Sequence, residues 1–356
     1  MLFFIFTTGL CNLRCDYCGG SFPEKLVPSK PLYDIDSLIR FLEDGKNVSI
    51  VFYGGEPLLN AKFISKFMDS FDAERYIIQT NGLLLEKLDS IYWRRMDTVL
   101  MSIDGVEYVT DKHRGTGVYN AVVKSAYKLR SLGFDGDLVA RMTVTEDTDI
   151  YRDVLHLMKL GLFDHIHWQL NVVWSPPWSD FDGWCKRYMN GLSRLLDLWI
   201  YKLKFDGAVL GISPFQGCLK RIIEGGSYPP CGAGVDAYAI STDGSILVCP
   251  ISVDVNWGRL GNIYSNTLDT LKTVPKIGEP CISCVEFKVC GGRCLYAYME
   301  KLWGIDGFRK ICNITISMIS LLRSRLNLIK NALKIHSISM DSILYPRFNN
   351  SIEIIP

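Results

Sequence analysis

Two kinds of apolar pattern alternate along the first half of the chain. Leu2–Phe6, Val48–Phe52, Tyr76–Ile78, Thr98–Ile103, Leu138–Val144 and Ile166–Leu170 are short, nearly continuous apolar runs, as strands buried on both faces require. Between them, Asp34–Leu42, Ala61–Met68, Leu85–Tyr92, Tyr119–Leu132 and Tyr151–Lys159 repeat apolar residues at helical spacing, with Asp34 placed to cap the first helix. Six strands alternating with helices predict an α/β fold with a parallel sheet and right-handed crossovers. Six units rather than eight make a partial (β/α)6 TIM-like barrel. Beyond residue 170 the pattern changes. Asn171–Trp184 is an aromatic, Pro-containing loop whose tryptophans are either recognition anchors or, the favoured reading, packed beneath a helix over Trp184–Leu203. The turn Thr242-Asp243-Gly244 predicts a hairpin between Tyr238–Ser241 and Ile246–Val248. Ile314–Leu333 reads as a helix with Arg323, Arg325, Lys330 and Lys334 on one side, and Asp341–Pro356 as polar and extended.

Ligands in parallel α/β sheets bind at the carboxyl ends of the strands. The informative motifs fall there: CNLRCDYC after the first strand, GGEP (Gly54–Pro57) after the second, QTNG (Gln79–Gly82) after the third, and SIDG (Ser102–Gly105) on the fourth. RMTVTE ends the fifth strand and WQLN the sixth.

A net charge of +1 gives no electrostatic case for nucleic acid or a membrane surface. Arg323, Arg325 and Lys330 break the most apolar late segment below membrane-spanning length. Leu2–Phe6 is too short for a secretory signal and lacks a basic flank. Twelve cysteines in tight local groups in a chain of 356 residues then suggest metal binding in a reducing cytoplasm rather than disulfides.

Cys11, Cys15 and Cys18 carry the C-x3-C-x2-C spacing with an aromatic, Tyr17, before the last. Three thiolates on one loop can each take one iron of a cubane [4Fe–4S] cluster, and no fourth cysteine follows nearby, so one iron stays open to an exchangeable ligand. The alternative is zinc, which ordinarily wants paired C-x2-C knuckles and four closed ligands. The loop resembles the signature of the radical S-adenosylmethionine (SAM) superfamily. That resemblance implies that the open iron chelates the amine and carboxylate of SAM and that the reduced cluster cleaves it to a 5′-deoxyadenosyl radical, which abstracts hydrogen from a substrate carbon. It also implies SAM contacts at Tyr17, Gly54, Gly55, Glu56, Ser102, Arg114 and Leu170, with Gln79 and Asp104 on the same rim. Without the resemblance, GGEP is a turn, Arg114 a solvated charge and Leu170 a core leucine.

Further on, Cys231, Gly244 and Cys249 give C-x12-G-x4-C, and Cys281, Cys284, Cys290 and Cys294 give C-x2-C-x5-C-x3-C, with Cys312 last. This order resembles the SPASM extension of radical SAM enzymes that modify peptides. The resemblance implies a second auxiliary cluster at Cys281, Cys284, Cys290 and Cys312, and a first at Cys231, Cys249 and Cys294. Cys218 is the candidate fourth ligand there; otherwise it is a packed thiol and the cluster keeps an open iron. Zinc pairs are the alternative for this field as well, and Cys185 has no neighbouring thiol.

The expected organisation is a barrel over 1–204, a SPASM part over 205–312 and a C-terminal helix and tail over 313–356. The chain looks similar to an archaeal-type group of peptide-modifying radical SAM/SPASM enzymes. The expected function is oxidation or cross-linking of a peptide or small protein, as in maturation of ribosomally made peptides. It would use three [4Fe–4S] clusters, SAM and an external one-electron donor of the ferredoxin or flavodoxin type. Because Cys11 comes so early, peptide recognition is expected at the barrel mouth, in the SPASM part or on another polypeptide. A second enzyme reading is anaerobic sulfatase maturation, conversion of Cys or Ser to formylglycine. Those enzymes carry a catalytic aspartate directly after the second SPASM cysteine, where this chain has Pro250; Asp254 is the candidate substitute. A reading of another class is a non-catalytic iron–sulfur or zinc electron-transfer module.

Overall fold

The computed structural model describes residues 1–172, 175–226 and 228–349. Six parallel strands, β1 (Leu2–Thr8), β2 (Ser49–Gly54), β3 (Arg75–Thr80), β4 (Thr98–Ser102), β5 (Asp137–Val144) and β6 (His165–Leu170), lie side by side in sequence order. Helices α1 (Ile35–Leu42), α2 (Ala61–Ser70), α3 (Ser90–Trp93), α4 (Glu107–Arg114), α5 (Val118–Ser131) and α6 (Ile150–Lys159) fill the crossovers. Asp34 caps α1 as expected, its carboxylate accepting from the Ser37 amide at 2.7 Å. The partial barrel is the observed architecture.

The apolar runs are continuous because the sheet separates two cores. Phe3 and Ile5 of β1 enter the outer core beneath the helices, whereas Leu2, Phe4 and Phe6 meet Val51, Ile77, Leu100 and Val139 inside the barrel. Both faces are therefore apolar along one strand.

Three expectations change. Leu85–Tyr92 is not one helix but a single 3-10 turn, Leu85–Lys87, followed by the four-residue α3. The chain is extended at Leu88, which lets Leu85, Leu88 and Trp93 all reach the core. The hairpin forms, as β7 (Ala237–Ile240) and β8 (Ser245–Leu247) followed by β9 (Arg259–Asn262), but β7 also pairs parallel with β1. The cysteine-rich part thus continues the barrel sheet. The late helix is longer than its apolar pattern indicated.

Helices α7 (Phe181–Asp206), α8 (Ser213–Glu224), α9 (Phe287–Cys290), α10 (Leu295–Glu300) and α11 (Gly304–Ile335) complete the fold. Cys312 lies within α11, so the expected division after residue 312 falls inside a helix packed along α7. Two residues of its basic side are engaged, Arg323 with Glu286 at 2.5 Å and Arg325 with Asp197 at 3.4 Å, while Lys330 and Lys334 are exposed. Trp178, Phe181, Trp184 and Trp303 form one aromatic cluster, which explains the tryptophans of the middle loop; Val173 and Trp174 lie outside the described residues.

The tail is not extended and peripheral as far as Asn349; residues 350–356 lie outside the described residues. Ile343 and Tyr345 are fully buried. At the amino end of the barrel the Tyr345 hydroxyl donates to Asp137 Oδ2 at 2.9 Å, and Asn349 Nδ2 donates to the same oxygen at 2.7 Å. Asn349 Oδ1 accepts from Arg75 at 3.0 Å and Thr98 at 3.3 Å. One side chain thereby joins the starts of β3, β4 and β5. Asn349→Ala should orphan these buried groups and cost about 1–3 kcal/mol, read as a lower denaturation midpoint at unchanged m-value.

Candidate functional site

The carboxyl ends of the strands open on a cavity of about 520 Å³. Its wall includes Cys11, Cys15 and Cys18, and every expected SAM contact: Tyr17, Gly54, Gly55, Glu56, Ser102, Arg114 and Leu170. Gln79, from the third strand end, is there too.

The cysteine loop has almost no regular structure, so side chains from the strand ends hold it. Asn81 Nδ2 donates to Asn12 Oδ1 at 2.8 Å. Asp16 receives His113 Nδ1 at 2.8 Å, while its amide donates to the His113 carbonyl at 3.1 Å; His113 Nε2 lies 3.0 Å from Thr145 Oγ1. The Tyr17 hydroxyl donates to Asp104 Oδ2 at 2.8 Å. Burial pushes this phenol well above its ordinary pKa, so it remains a donor.

Asp104 has no solvent exposure and also receives Arg114 through Nε at 2.8 Å and Nη2 at 2.9 Å, and the Thr143 amide at 2.8 Å. Arg114 is therefore neither a solvated charge nor an uncommitted carboxylate clamp: two donors of its fork are spent on Asp104. Removing one partner of so buried a pair costs about 3–5 kcal/mol. Sequence reasoning placed Asp104 on the rim without a role, and it missed His113, whose position beside Arg114 gives no signal by itself.

In GGEP the glycines are needed for close approach to the first strand. A Cβ on Gly54 would stand 2.2 Å from the Thr8 carbonyl oxygen, and one on Gly55 2.2 Å from that of Leu10. The amides of Gly55 and Glu56 donate to these same carbonyls, at 3.1 and 2.8 Å. The Glu56 carboxylate turns inward, accepting from the Leu58 amide at 3.0 Å, Thr80 Oγ1 at 2.8 Å and the Asn81 amide at 2.7 Å. It locks GGEP to QTNG, leaving the backbone as what this motif presents to a ligand.

The opposite wall is formed by Cys231, Cys249 and Cys294, with Pro250, Asp254 and Tyr296. Tyr296 OH donates to Asp254 Oδ1 at 3.4 Å. Cys281, Cys284, Cys290 and Cys312 lie away from the cavity but within electrostatic reach of one another: after burial, Cys312 is the next cause raising both Cys281 and Cys290, and Cys312 in turn feels Cys284. Cys218 is not among the residues lining this cavity. It is fully buried on α8, where burial and then Cys290 push its thiol up. Cys185 is half-buried on α7, facing Asp182.

None of the twelve cysteines is in a disulfide. Among the described residues no three Cys, His, Asp or Glu side chains converge as ligands of a single ion. Three thiols on one loop and three on the facing wall are soft donor sets of the kind that an iron–sulfur cluster takes.

Residues 5–160 match the Radical SAM superfamily. The chain is 25% identical over 331 residues to the cysteine-type anaerobic sulfatase-maturating enzyme of Clostridium perfringens, covering 80% of this chain and 85% of that protein. It is 25% identical over 336 residues to the radical SAM cyclopropyl synthase TigE of Paramaledivibacter caminithermalis, covering 83% and 67%. The solved structure of anSMEcpe with bound AdoMet and Cp18Cys peptide superposes with a TM-score of 0.70 at 20% identity, over 94% of this chain and 99% of that one, a likeness of fold. Residues 5–160 therefore carry a radical SAM domain, and over most of its length the chain is related to maturases of that type. Among the described residues no helix is long and apolar enough to cross a membrane.

Burial pushes Glu56 up to about 7 from an ordinary 4.5, against the pull of its three donors. Folding thus takes up a proton at this site. The contribution is fully present below the ordinary carboxylate range and is lost as pH rises through about 7. Melting curves from about pH 5 to 8 should show the wild type losing stability across that window. Glu56→Gln, which cannot accept the Asn81 amide on its NH2, should be less stable by about 1–3 kcal/mol at low pH and show a flatter profile.

Proposed function

We propose that this chain is a radical SAM enzyme that modifies a peptide or small protein at an unactivated carbon, by oxidation or cross-linking, and that it holds two auxiliary clusters besides the first. One observation carries the reading: a single cavity has the Cys11, Cys15 and Cys18 loop on one wall and Cys231, Cys249 and Cys294 on the other, with the strand-end motifs between. Cys11, Cys15 and Cys18 would hold a cluster that, with SAM bound, would supply a 5′-deoxyadenosyl radical for hydrogen abstraction. The chain's own residues orient and enclose. The GGEP backbone, pressed against Thr8 and Leu10, would offer carbonyls to the SAM amine; Ser102 and Leu170 would line its adenosyl part, and Arg114, paired with Asp104, would stand by its carboxylate. Phe4, Phe22 and Leu26 make part of the wall apolar and so exclude water where a radical must be protected. Cys281, Cys284, Cys290 and Cys312, outside the cavity, suit a relay of electrons to or from an external ferredoxin- or flavodoxin-type carrier rather than substrate binding.

Sulfatase maturation is the second reading, favoured by similarity along the chain to such an enzyme and by Asp254 in the cavity wall. Pro250, at the position of the usual aspartate, cannot accept a proton, and this ranks the reading second.

Protein reconstituted without air, then given dithionite and SAM, should form 5′-deoxyadenosine. Cys15→Ala should abolish this, whereas Cys284→Ala should retain uncoupled cleavage and lose peptide turnover. Clusters present with no 5′-deoxyadenosine would instead make the chain an electron carrier, and aldehyde formation on a cysteine-containing sulfatase peptide would reverse the ranking.

A further inference from the structure

The carboxyl-terminal tail and the cysteine-rich part meet at one aromatic side chain. Tyr228 stands three residues before Cys231, and the buried Pro229 and Pro230 lie between them. Proline fixes φ, so the ring and the thiol that follows it have little independent play. Past Cys231 the chain turns at once: the Gly232 carbonyl accepts from the amides of Val235, Asp236 and Ala237 at 2.9, 3.1 and 3.0 Å, which brings Asp236 to the start of β7. Tyr228 and Asp236 therefore bracket the loop that presents Cys231 to the cavity.

One residue of the tail holds both ends of that loop. Arg347 Nη2 donates to the Tyr228 hydroxyl at 2.8 Å and also pairs with Asp236 Oδ2, and its guanidinium lies 5.4 Å from the centre of the Tyr228 ring. Burial pushes the Asp236 carboxyl up, and Arg347 is the largest influence opposing it. Arg347 is partly exposed, and an isolated pair in such a position is worth little. This one is not isolated: Tyr345 and Asn349, two residues away on either side, are buried and bonded to Asp137, so the backbone at Arg347 is fixed before its side chain pairs. Tyr228 also meets the other cysteine segment. Arg221 of α8 donates through Nη2 to the Tyr228 carbonyl at 3.2 Å and through Nε to the Val289 carbonyl, next to Cys290, at 3.0 Å. A Cβ on Gly291, whose φ is +60°, would stand 2.0 Å from that same Tyr228 carbonyl oxygen.

We propose that the tail is a clamp on the cysteine-rich part, and that Arg347 is a positioning residue which, through Tyr228 and Asp236, sets the Cys231 loop against the segment carrying Cys290 and Cys294. Residues at the far end of the chain thereby fix the spacing of thiols on the second wall of the cavity. The inference rests on the reading of Cys231 as a ligand of an auxiliary cluster.

Alkylation of the metal-free full chain by iodoacetamide, followed by mass spectrometry of each cysteine peptide, reads the clamp without any cluster. In Arg347→Gln, Cys231 should react several-fold faster than in the wild type while Cys281 and Cys284 keep their rates, and Arg347→Lys, which retains the charge beside Asp236, should fall between the two. Reconstituted without air, Arg347→Gln should fall short of the wild type by one cluster's iron, with Arg347→Lys recovering part of it. An unchanged Cys231 rate would overturn the proposal, and so would an equal rise at every cysteine, which is general loosening. A faster Cys231 with wild-type iron content would overturn the positioning role. Wild-type protein that takes up no iron beyond the first loop's cluster would overturn the auxiliary-cluster reading and the ligand role with it, whereas the alkylation rates judge the clamp separately.

Discussion

A single buried carboxylate holds the working end of this molecule together. Asp104 sits at the carboxyl end of β4 with no exposure to solvent, and it binds Tyr17 of the cysteine loop, the fork of Arg114 from α4 and the amide of Thr143 on β5. A charge in that position is tolerable only because it is paired and saturated with donors. The consequence is geometric. The loop carrying Cys11, Cys15 and Cys18 has little structure of its own, and Asp104, with Asn81 and His113, ties it to three strand ends at once.

The second constraint is sheet pairing. Because β7 adds to the free edge of β1, the cysteine-rich part is a continuation of the barrel, and Cys231 and Cys249 flank a hairpin anchored on the strand that delivers the first cysteine loop. Two thiol trios thereby face one cavity without a separate docking surface. The tail reinforces the opposite end through Tyr345 and Asn349, leaving the strand starts sealed and the strand ends open.

Much of this was legible in the sequence because the barrel strands are buried on both sides and their apolar runs are unmistakable. All seven residues that the family resemblance implied as SAM contacts line the cavity, at strand ends, in the loop after β1 or, for Arg114, at the end of α4. What escaped was tertiary. Nothing local reveals that β7 pairs with β1, that Arg114 is bound by Asp104, or that Glu56 turns away to cap a neighbouring loop. Leu85–Tyr92 has helical spacing, yet the reach of Leu88 to the core breaks it. Cys218 shows the same limit from the other direction: it was the nearby candidate for a fourth ligand or else a packed thiol, and in the fold it is fully buried on α8 in the core that also holds Cys290.

The central claim is that the first loop carries a cluster with one iron open to SAM. Electron paramagnetic resonance of the dithionite-reduced protein, prepared without air, tests it directly. A reduced [4Fe–4S] signal that changes shape on adding SAM, and that is missing from Cys18→Ala, is the predicted result. Protein that holds zinc and no labile sulfide, or a cluster signal indifferent to SAM, would contradict the account.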